Sequence, residues 1–165
     1  MKRLVVGGLA CLLMLFVSVA EASMPKADLV VVKKSQYSLE LFKDGKPIRH
    51  YWIALGMNPK GPKVRKGDLR TPEGRYLLDY KKDNSGYYKA IHISYPNLSD
   101  LQRAKMLGVD PGNMVMIHGQ PNRADPDEPA VQNSNWTNGC IALLNHEMDE
   151  LWDMVDPGTP IEIRP

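Results

Sequence analysis

Once the apolar leader is removed, one cysteine, Cys140, is left in the chain, so no intrachain disulfide can hold the fold together. The leader opens with Lys2 and Arg3, runs almost wholly apolar from Val5 to Val19, and ends in Ala20-Glu21-Ala22, a small-x-small site. That layout predicts an export signal over residues 1–22, cleaved ahead of Ser23, and one domain over residues 23–165. The apolar run is shorter than the roughly 20 residues of a membrane span. Gly8 stands where a lipoprotein signal needs a large aliphatic residue three before Cys11. Removing 22 of the 165 residues leaves 143, enough for one domain to be stabilised by its hydrophobic core alone. Exported proteins ordinarily keep cysteines in pairs. A lone thiol there is either a small buried hydrophobe or a working group.

Charge excludes one class of partner. Without Lys2, Arg3 and Glu21, the 21 basic and 19 acidic residues become 19 and 18, which gives no argument for nucleic-acid binding. Lys60, Lys63, Arg65, Lys66 and Arg70 do form a local basic stretch. It reads first as a solvated loop and second as a patch that meets an anionic substrate.

The patterning is mostly that of strands. Asp28 to Lys34 carries Leu29-Val30-Val31-Val32, and Tyr37 to Phe42 partly alternates. Asp44-Gly45 is a hairpin turn, and Ile48 to Leu55 returns as its partner. Gly56 to Gly74, dense in Gly, Pro and Lys, reads as a long functional loop. Strands follow at Arg75 to Tyr80 and Lys89 to Tyr95, joined through Asp83-Asn84-Ser85-Gly86. A helix is expected over Ser99 to Leu107, with Leu98, Leu101 and Met106 for packing. A short strand, Asn113 to Ile117, delivers His118, and residues 119–135 form a second long loop. A helix capped by Asn145 places Met148, Leu151, Trp152 and Val155 on one side. Thr159 to Arg164 is a closing strand, alternating through Ile161 and Ile163. The fold class is therefore mainly β: a mixed β-sandwich or barrel-like sheet with a few short helices outside.

Both long loops flank His118 and Cys140. His118 ends an apolar strand and precedes Gly119, which makes it the best candidate for a base; His50, His92 and His146 have nothing nearby to organise them. A thiol activated by His118 is the functional reading of Cys140, and a buried structural thiol is the other. As a nucleophile it is expected to titrate below its ordinary value of about 8.5. The backbone N–H groups of Asn138, Gly139 and Cys140 lie in one tight segment suited to an oxyanion. Trp136 either anchors that loop in the core or walls the cleft. No Cys-x-x-Cys, His-Glu-x-x-His or Gly-x-Ser-x-Gly motif occurs, so neither a metal site nor a serine nucleophile is expected.

His118-Gly119, an intervening loop and Thr137-Asn138-Gly139-Cys140-Ile141-Ala142-Leu143 together resemble the signature of the L,D-transpeptidase (YkuD-type) catalytic domain family. Within it, the chain is similar to a subgroup with Trp-Thr-x-Gly-Cys-Ile-Ala around the nucleophile. Thr71-Pro72-Glu73-Gly74 resembles the family's stretch before a strand, Asn145 to Trp152 its helix after the cysteine, and Pro157 to Ile161 its closing strand. The likeness runs from Leu29 to Ile163.

The resemblance implies an exported, cofactor-free cysteine acyltransferase of the periplasm or cell envelope. It would act on peptidoglycan stem peptides in wall biosynthesis, wall organisation and cell shape. Cys140 would be the nucleophile and His118 the general base. The Gly119 carbonyl would orient that base, and Asn138, Gly139 and Cys140 would form the oxyanion hole. Trp136, Thr137, Arg123 and Arg70 are the expected substrate-binding residues. A wall-linked lipoprotein is a further partner, and carbapenem-type inhibitors are expected to acylate Cys140. The alternatives are a cysteine L,D-carboxypeptidase or amidase that uses water, and a non-catalytic wall-binding module. Two positions depart from the pattern: many members have His at 138 and Arg or Asn at 142, where this chain has Asn138 and Ala142. Losing an arginine at 142 removes a charge for a substrate carboxylate, which leaves Lys63, Arg65, Arg70 or Arg123 to replace it.

Overall fold

The computed structural model describes residues 24–122 and 132–165; the export signal, the expected start at Ser23 and Arg123 lie outside them. The chain begins as a meander of β1 (Leu29–Lys33), β2 (Ser38–Lys43) and β3 (Lys46–Trp52). The β2–β3 turn is Asp44-Gly45, with φ of 50° and 73°. Two successive positive φ values match the twist of the flanking strands, which is why an Asp-Gly pair closes this hairpin.

The remaining strands are β4 (Gly74–Asn84), β5 (Tyr88–Ile93), β6 (Met116–His118), β7 (Ile141–Ala142) and β8 (Thr159–Arg164). They complete one eight-stranded mixed sheet in the order β3-β2-β1-β8-β4-β5-β6-β7. The closing strand β8 therefore sits in the middle of the sheet. It runs parallel to β1, with Val30 opposite Ile161 and Val32 opposite Ile163, and antiparallel to β4. Val30, Val31 and Val32 are all buried, as expected of a strand covered on both faces.

The two edges of the sheet meet. Ala54, just past β3, exchanges hydrogen bonds of 3.0 and 2.9 Å with Ala142 of β7. Residues 55–57 then pair with Thr137 through Thr137 N–H on the Leu55 carbonyl (3.2 Å) and Met57 N–H on the Thr137 carbonyl (3.0 Å). Closure removes unpaired edges, so the barrel-like alternative among the expected architectures describes this sheet better than a sandwich. Leu39, Leu55, Leu78, Ile117 and Leu143 are fully buried inside it. Each such side chain contributes about 1.5–3 kcal/mol by leaving water.

Helix α2 (Asn145–Met154) packs Met148, Leu151 and Met154 into the core, followed by Val155. Its cap differs from the expected one. Glu147 reaches back to accept the Leu144 N–H at 3.0 Å, while Asn145 accepts the Gln120 N–H at 2.8 Å and so ties the helix to the second loop.

Helix α1 (Leu98–Leu107) corrects the packing expectation more sharply. Leu98, Leu101 and Met106 are 78%, 46% and 80% exposed, and Asp100 and Ala104 are buried instead. Asn97 and Asp100 form a reciprocal capping box. The same Asp100 carboxylate accepts the Tyr76 hydroxyl at 2.9 Å, so α1 docks on β4 through a polar cap rather than an apolar stripe.

Candidate active site

Strands β6 and β7 lie parallel, with Ile117 opposite Ile141 and His118 opposite Ala142. Side chains alternate along strands, so residues 116 and 118 share a face with 142 and with Cys140, just ahead of β7. The register therefore turns His118 and Cys140 to one side, one step apart. A polar frame holds it. Leu143 N–H donates to the His118 carbonyl at 2.9 Å. Gln120 donates to the Leu143 carbonyl (2.6 Å) and to Gln132 (3.0 Å), and Gln132 donates to the carbonyls of Ala142 (2.8 Å) and Trp52 (3.1 Å).

His118 is 2% exposed, and its Nδ1–H donates to the Gly119 carbonyl at 2.7 Å. That bond assigns the proton to Nδ1 and leaves Nε2 as the basic nitrogen. Burial lowers the imidazole pKa to about 4, against the Gly119 bond, which raises it. The ring is neutral at physiological pH. Gly119 itself has no room for a side chain, because a Cβ there would stand 2.6 Å from Asn145 Oδ1 and 2.9 Å from the Tyr88 carbonyl.

The Cys140 thiol is partly exposed and donates to the Met114 carbonyl at 3.8 Å. Burial pushes the thiol above its ordinary range, outweighing the Met116 N–H and the charge of Lys63, which pull it down. This corrects the expectation of a depressed thiol pKa. A neutral imidazole supplies no positive charge to stabilise a thiolate, and among the described residues no hydrogen bond joins His118 to Cys140. At rest the two groups are therefore a neutral imidazole and a thiol rather than a preformed ion pair.

Gly139 has φ of 127°, and a Cβ there would lie 2.6 Å from the Arg70 carbonyl oxygen. Its N–H donates to Thr137 Oγ1 at 3.1 Å, and Thr137 Oγ1–H donates to the Cys140 carbonyl at 2.8 Å. Thr137 is 4% exposed, so its hydroxyl shapes the turn that carries Cys140 instead of facing substrate as expected. Arg70 also departs from expectation. Its guanidinium lies against Gly61 and donates to the Pro62 carbonyl at 3.5 Å, away from the cavity at Cys140. Trp136 is half-buried, with its ring 5.6 Å from His118 and 5.8 Å from Tyr87.

Tyr87 escaped the sequence reading, and Lys63 entered it only as one of four stand-ins for the charge missing at 142. Tyr87 stacks on His118 with centroids 4.1 Å apart. Lys63, read there as part of a solvated stretch, is buried against Asp68 and lines the cavity at Cys140 together with Lys66, Leu69, Met114 and Asn138. The Lys63–Asp68 spacing was the available signal for a paired lysine; nothing near Tyr87 in sequence points to His118.

The model of the YkuD family, L,D-transpeptidase catalytic domain, matches residues 27–163. YafK of Escherichia coli K12 is 33% identical over 130 residues, covering 78% of this chain and 42% of YafK. The crystal structure of the helical cell shape determining protein Pgp2 from Campylobacter jejuni superposes with a TM-score of 0.65 at 28% identity, over 84% of this chain and 48% of Pgp2. An L,D-transpeptidase from Xylanimonas cellulosilytica shares the fold, with a TM-score of 0.55 at 18% identity over 87% of this chain and 62% of that one. The chain thus spans less than half the length of YafK and of Pgp2.

Proposed function

The chain belongs to the L,D-transpeptidase catalytic domain family, and from that premise we propose that it is an exported enzyme that acylates Cys140 with peptidoglycan stem peptides and passes the acyl group to an amine. The observation that carries the reading is the β6–β7 register. It turns Cys140, at the mouth of a cavity, and His118, fixed by the Gly119 carbonyl, to the same side.

Cys140 Sγ attacks the carbonyl carbon of the third stem residue while His118 Nε2 takes the thiol proton. The N–H groups of Asn138 and Cys140 receive the developing oxyanion; that of Gly139 is committed to Thr137. The amide C–N bond breaks, and His118 returns the proton to the departing D-alanine nitrogen. The resulting thioester is attacked by an amine of a second stem peptide or of a lipoprotein lysine. Its C–S bond breaks, a new amide forms, and the thiol is restored. The route needs no metal or organic cofactor. The imidazolium formed during the cycle rests against the faces and edges of Tyr87 and Trp136.

Residues 1–22 serve as the export signal, the mature protein begins at Ser23, and it works in the periplasm or cell envelope. The likeness to Pgp2, a helical cell shape determining protein, supports a part in cell-wall organisation and cell shape. Incubation of the purified protein with defined disaccharide-tetrapeptides, read by mass, tests the reaction. Cross-linked or amine-exchanged products that vanish in Cys140→Ala support it. Trimmed tripeptide alone makes the enzyme a hydrolase using water. No conversion, with no acylation of Cys140, leaves a binding module.

A further inference from the structure

The cavity at Cys140 has a volume of about 380 Å³, and among the described residues no acidic side chain lines it. Its charged lining residues are Lys63 and Lys66. Lys66 is a surface lysine, but Lys63 is not: it is 4% exposed, with its ammonium donating to Asp68 Oδ1 at 2.8 Å and to the Arg65 carbonyl at 3.1 Å. An ammonium carries three N–H bonds. Among the described residues those two acceptors are all that meet it, so one N–H is left over in a buried group that borders the cavity.

Asp68 is turned the other way. Its Oδ1 accepts from Lys63 and from the Arg70 N–H at 3.1 Å, and its Oδ2 accepts the N–H groups of Val64 (2.7 Å) and Arg65 (3.0 Å). All of its acceptor capacity is spent inside the loop, and of the pair only Lys63 is among the residues lining the cavity.

We infer that Lys63 binds the terminal carboxylate of the donor stem peptide, the carboxylate on the residue that leaves when Cys140 attacks. The inference rests on the function proposed above and assigns one part of that site. It gives a home to the charge that position 142 lacks. Ala142 is fully buried and bridged to Ala54, so the strand offers no outlet there for a longer side chain. The leaving residue bears its carboxylate on the carbon next to the scissile nitrogen, so a cation beside the nucleophile is where that group falls. The pair is pre-arranged as well. Burial works against the Asp68 anion, but the bonds from Arg65, Lys63, Val64 and Arg70 outweigh it and hold its carboxyl at about 2. Lys63 therefore keeps a charged partner over the whole working pH range. Its nearness to the nucleophile shows in the pull of its charge on the Cys140 thiol.

The test measures binding apart from turnover. In Cys140→Ala protein, calorimetry compares a disaccharide-tetrapeptide ending in a free carboxylate with the same peptide ending in a carboxamide. The acid is expected to bind about tenfold more tightly, the range of a hydrogen bond to a charged group. Lys63→Gln in the same background abolishes the difference by weakening the acid alone, and Lys63→Arg keeps most of it. A purely structural lysine would weaken both peptides equally, so equal losses overturn the inference, as does a preference that persists in Lys63→Gln. Where Lys63→Gln does not fold, the comparison with Lys63 intact decides: equal affinities, or no measurable binding of either peptide, overturn it. Turnover by the Cys140 enzyme is read separately. Conversion of both peptides without distinction keeps the proposed function and removes this inference. Preferential binding of the acid with turnover of neither does the reverse.

Discussion

The phenol ring of Tyr87 lies over the imidazole of His118, with ring centroids 4.1 Å apart and planes 23° from parallel. Trp136 meets the same imidazole edge-on at 5.6 Å. The imidazole is neutral at rest, and in the proposed mechanism it becomes cationic on taking the Cys140 proton. An aromatic face stabilises a cation by about 0.5–2 kcal/mol. Tyr87 is thus a positioning residue whose effect is felt in the protonated state. Tyr87→Leu is expected to lower kcat about twofold to thirtyfold, the same energy range expressed as a rate. Tyr87→Phe, which keeps the ring, should stay within about twofold of the parent. Equal losses in the two variants would assign the effect to the hydroxyl instead.

The thiol sets a second expectation. Burial holds the Cys140 pKa above its ordinary range, so the thiolate is a minor species at neutral pH. Alkylation by iodoacetamide should therefore be slow at pH 7 and still be rising at pH 9, because each unit of pH adds thiolate until the raised pKa is passed. His118→Ala should slow alkylation near neutrality, where proton removal by the imidazole matters. A rate that levels off below pH 8 would mean that the resting site holds a thiolate–imidazolium pair.

His118 also ties stability to pH. Its pKa is about 4 in the folded protein, lowered by burial from an ordinary 6.5. Between those values the unfolded chain binds a proton that the native site refuses, so this contribution to stability rises with pH. It is fully present above pH 6.5 and is lost as pH falls through 6.5 towards 4. Urea midpoints of the parent should drop from pH 7 to pH 5 more steeply than those of His118→Gln. The carboxylates are common to both proteins, so parallel profiles would show that His118 contributes nothing to the decline.

Much of the fold was legible in the sequence, and the misses have identifiable physical causes. Alternation through Ile161 and Ile163 marked β8 as a strand, but not as the central one, because its neighbours are set by pairing with Val30 and Val32 at the far end of the chain. The spacing of Met148, Leu151 and Val155 found the buried face of α2. The same kind of reasoning failed on α1, where Leu98, Leu101 and Met106 are exposed. There the signal was polar, Asn97 with Asp100 three residues on. At the site, His118 and Cys140 were visible because the motif lies on two short adjacent strands. Tyr87 was not visible, because it reaches His118 only when the β4–β5 turn folds against Pro121. Lys63 looked solvated because its burial depends on the turn that Asp68 organises.

Gly139 bears on the geometry of the nucleophile. At φ of 127° a non-glycine residue is strained, and its Cβ would lie 2.6 Å from the Arg70 carbonyl oxygen, which belongs to rigid backbone. Gly139→Ala is expected to cost about 1–3 kcal/mol of stability from strain alone. Relief of the clash would move the Thr137–Cys140 turn and with it the proposed oxyanion donors. Activity should therefore fall further than stability does, by at least about a hundredfold, the loss typical of removing one oxyanion donor. A variant that melts early yet retains parent-like kcat at low temperature would separate this turn from the chemistry.

Acylation by a carbapenem-type β-lactam tests the acyl-enzyme step independently of the natural substrate. The strained ring presents a carbonyl that becomes an oxyanion when Sγ adds, so it draws on the same Asn138 and Cys140 N–H groups as a stem peptide would. Opening of the ring breaks the C–N bond without releasing a fragment. The acyl group therefore stays on sulfur as a thioester, and the mass of the protein rises by that of the whole inhibitor. One adduct is expected, on the peptide that contains Cys140, and Cys140→Ala should prevent it. The carbapenem carboxylate is a candidate ligand for Lys63, so Lys63→Gln should slow capture while leaving the final adduct unchanged. Tyr87→Leu should slow it too, through the imidazolium that forms as Sγ adds. Two adducts, or an adduct that survives Cys140→Ala, would place the reactive group elsewhere. No adduct after long exposure to excess inhibitor, with tetrapeptide also unconverted, would remove catalysis from the account of this fold.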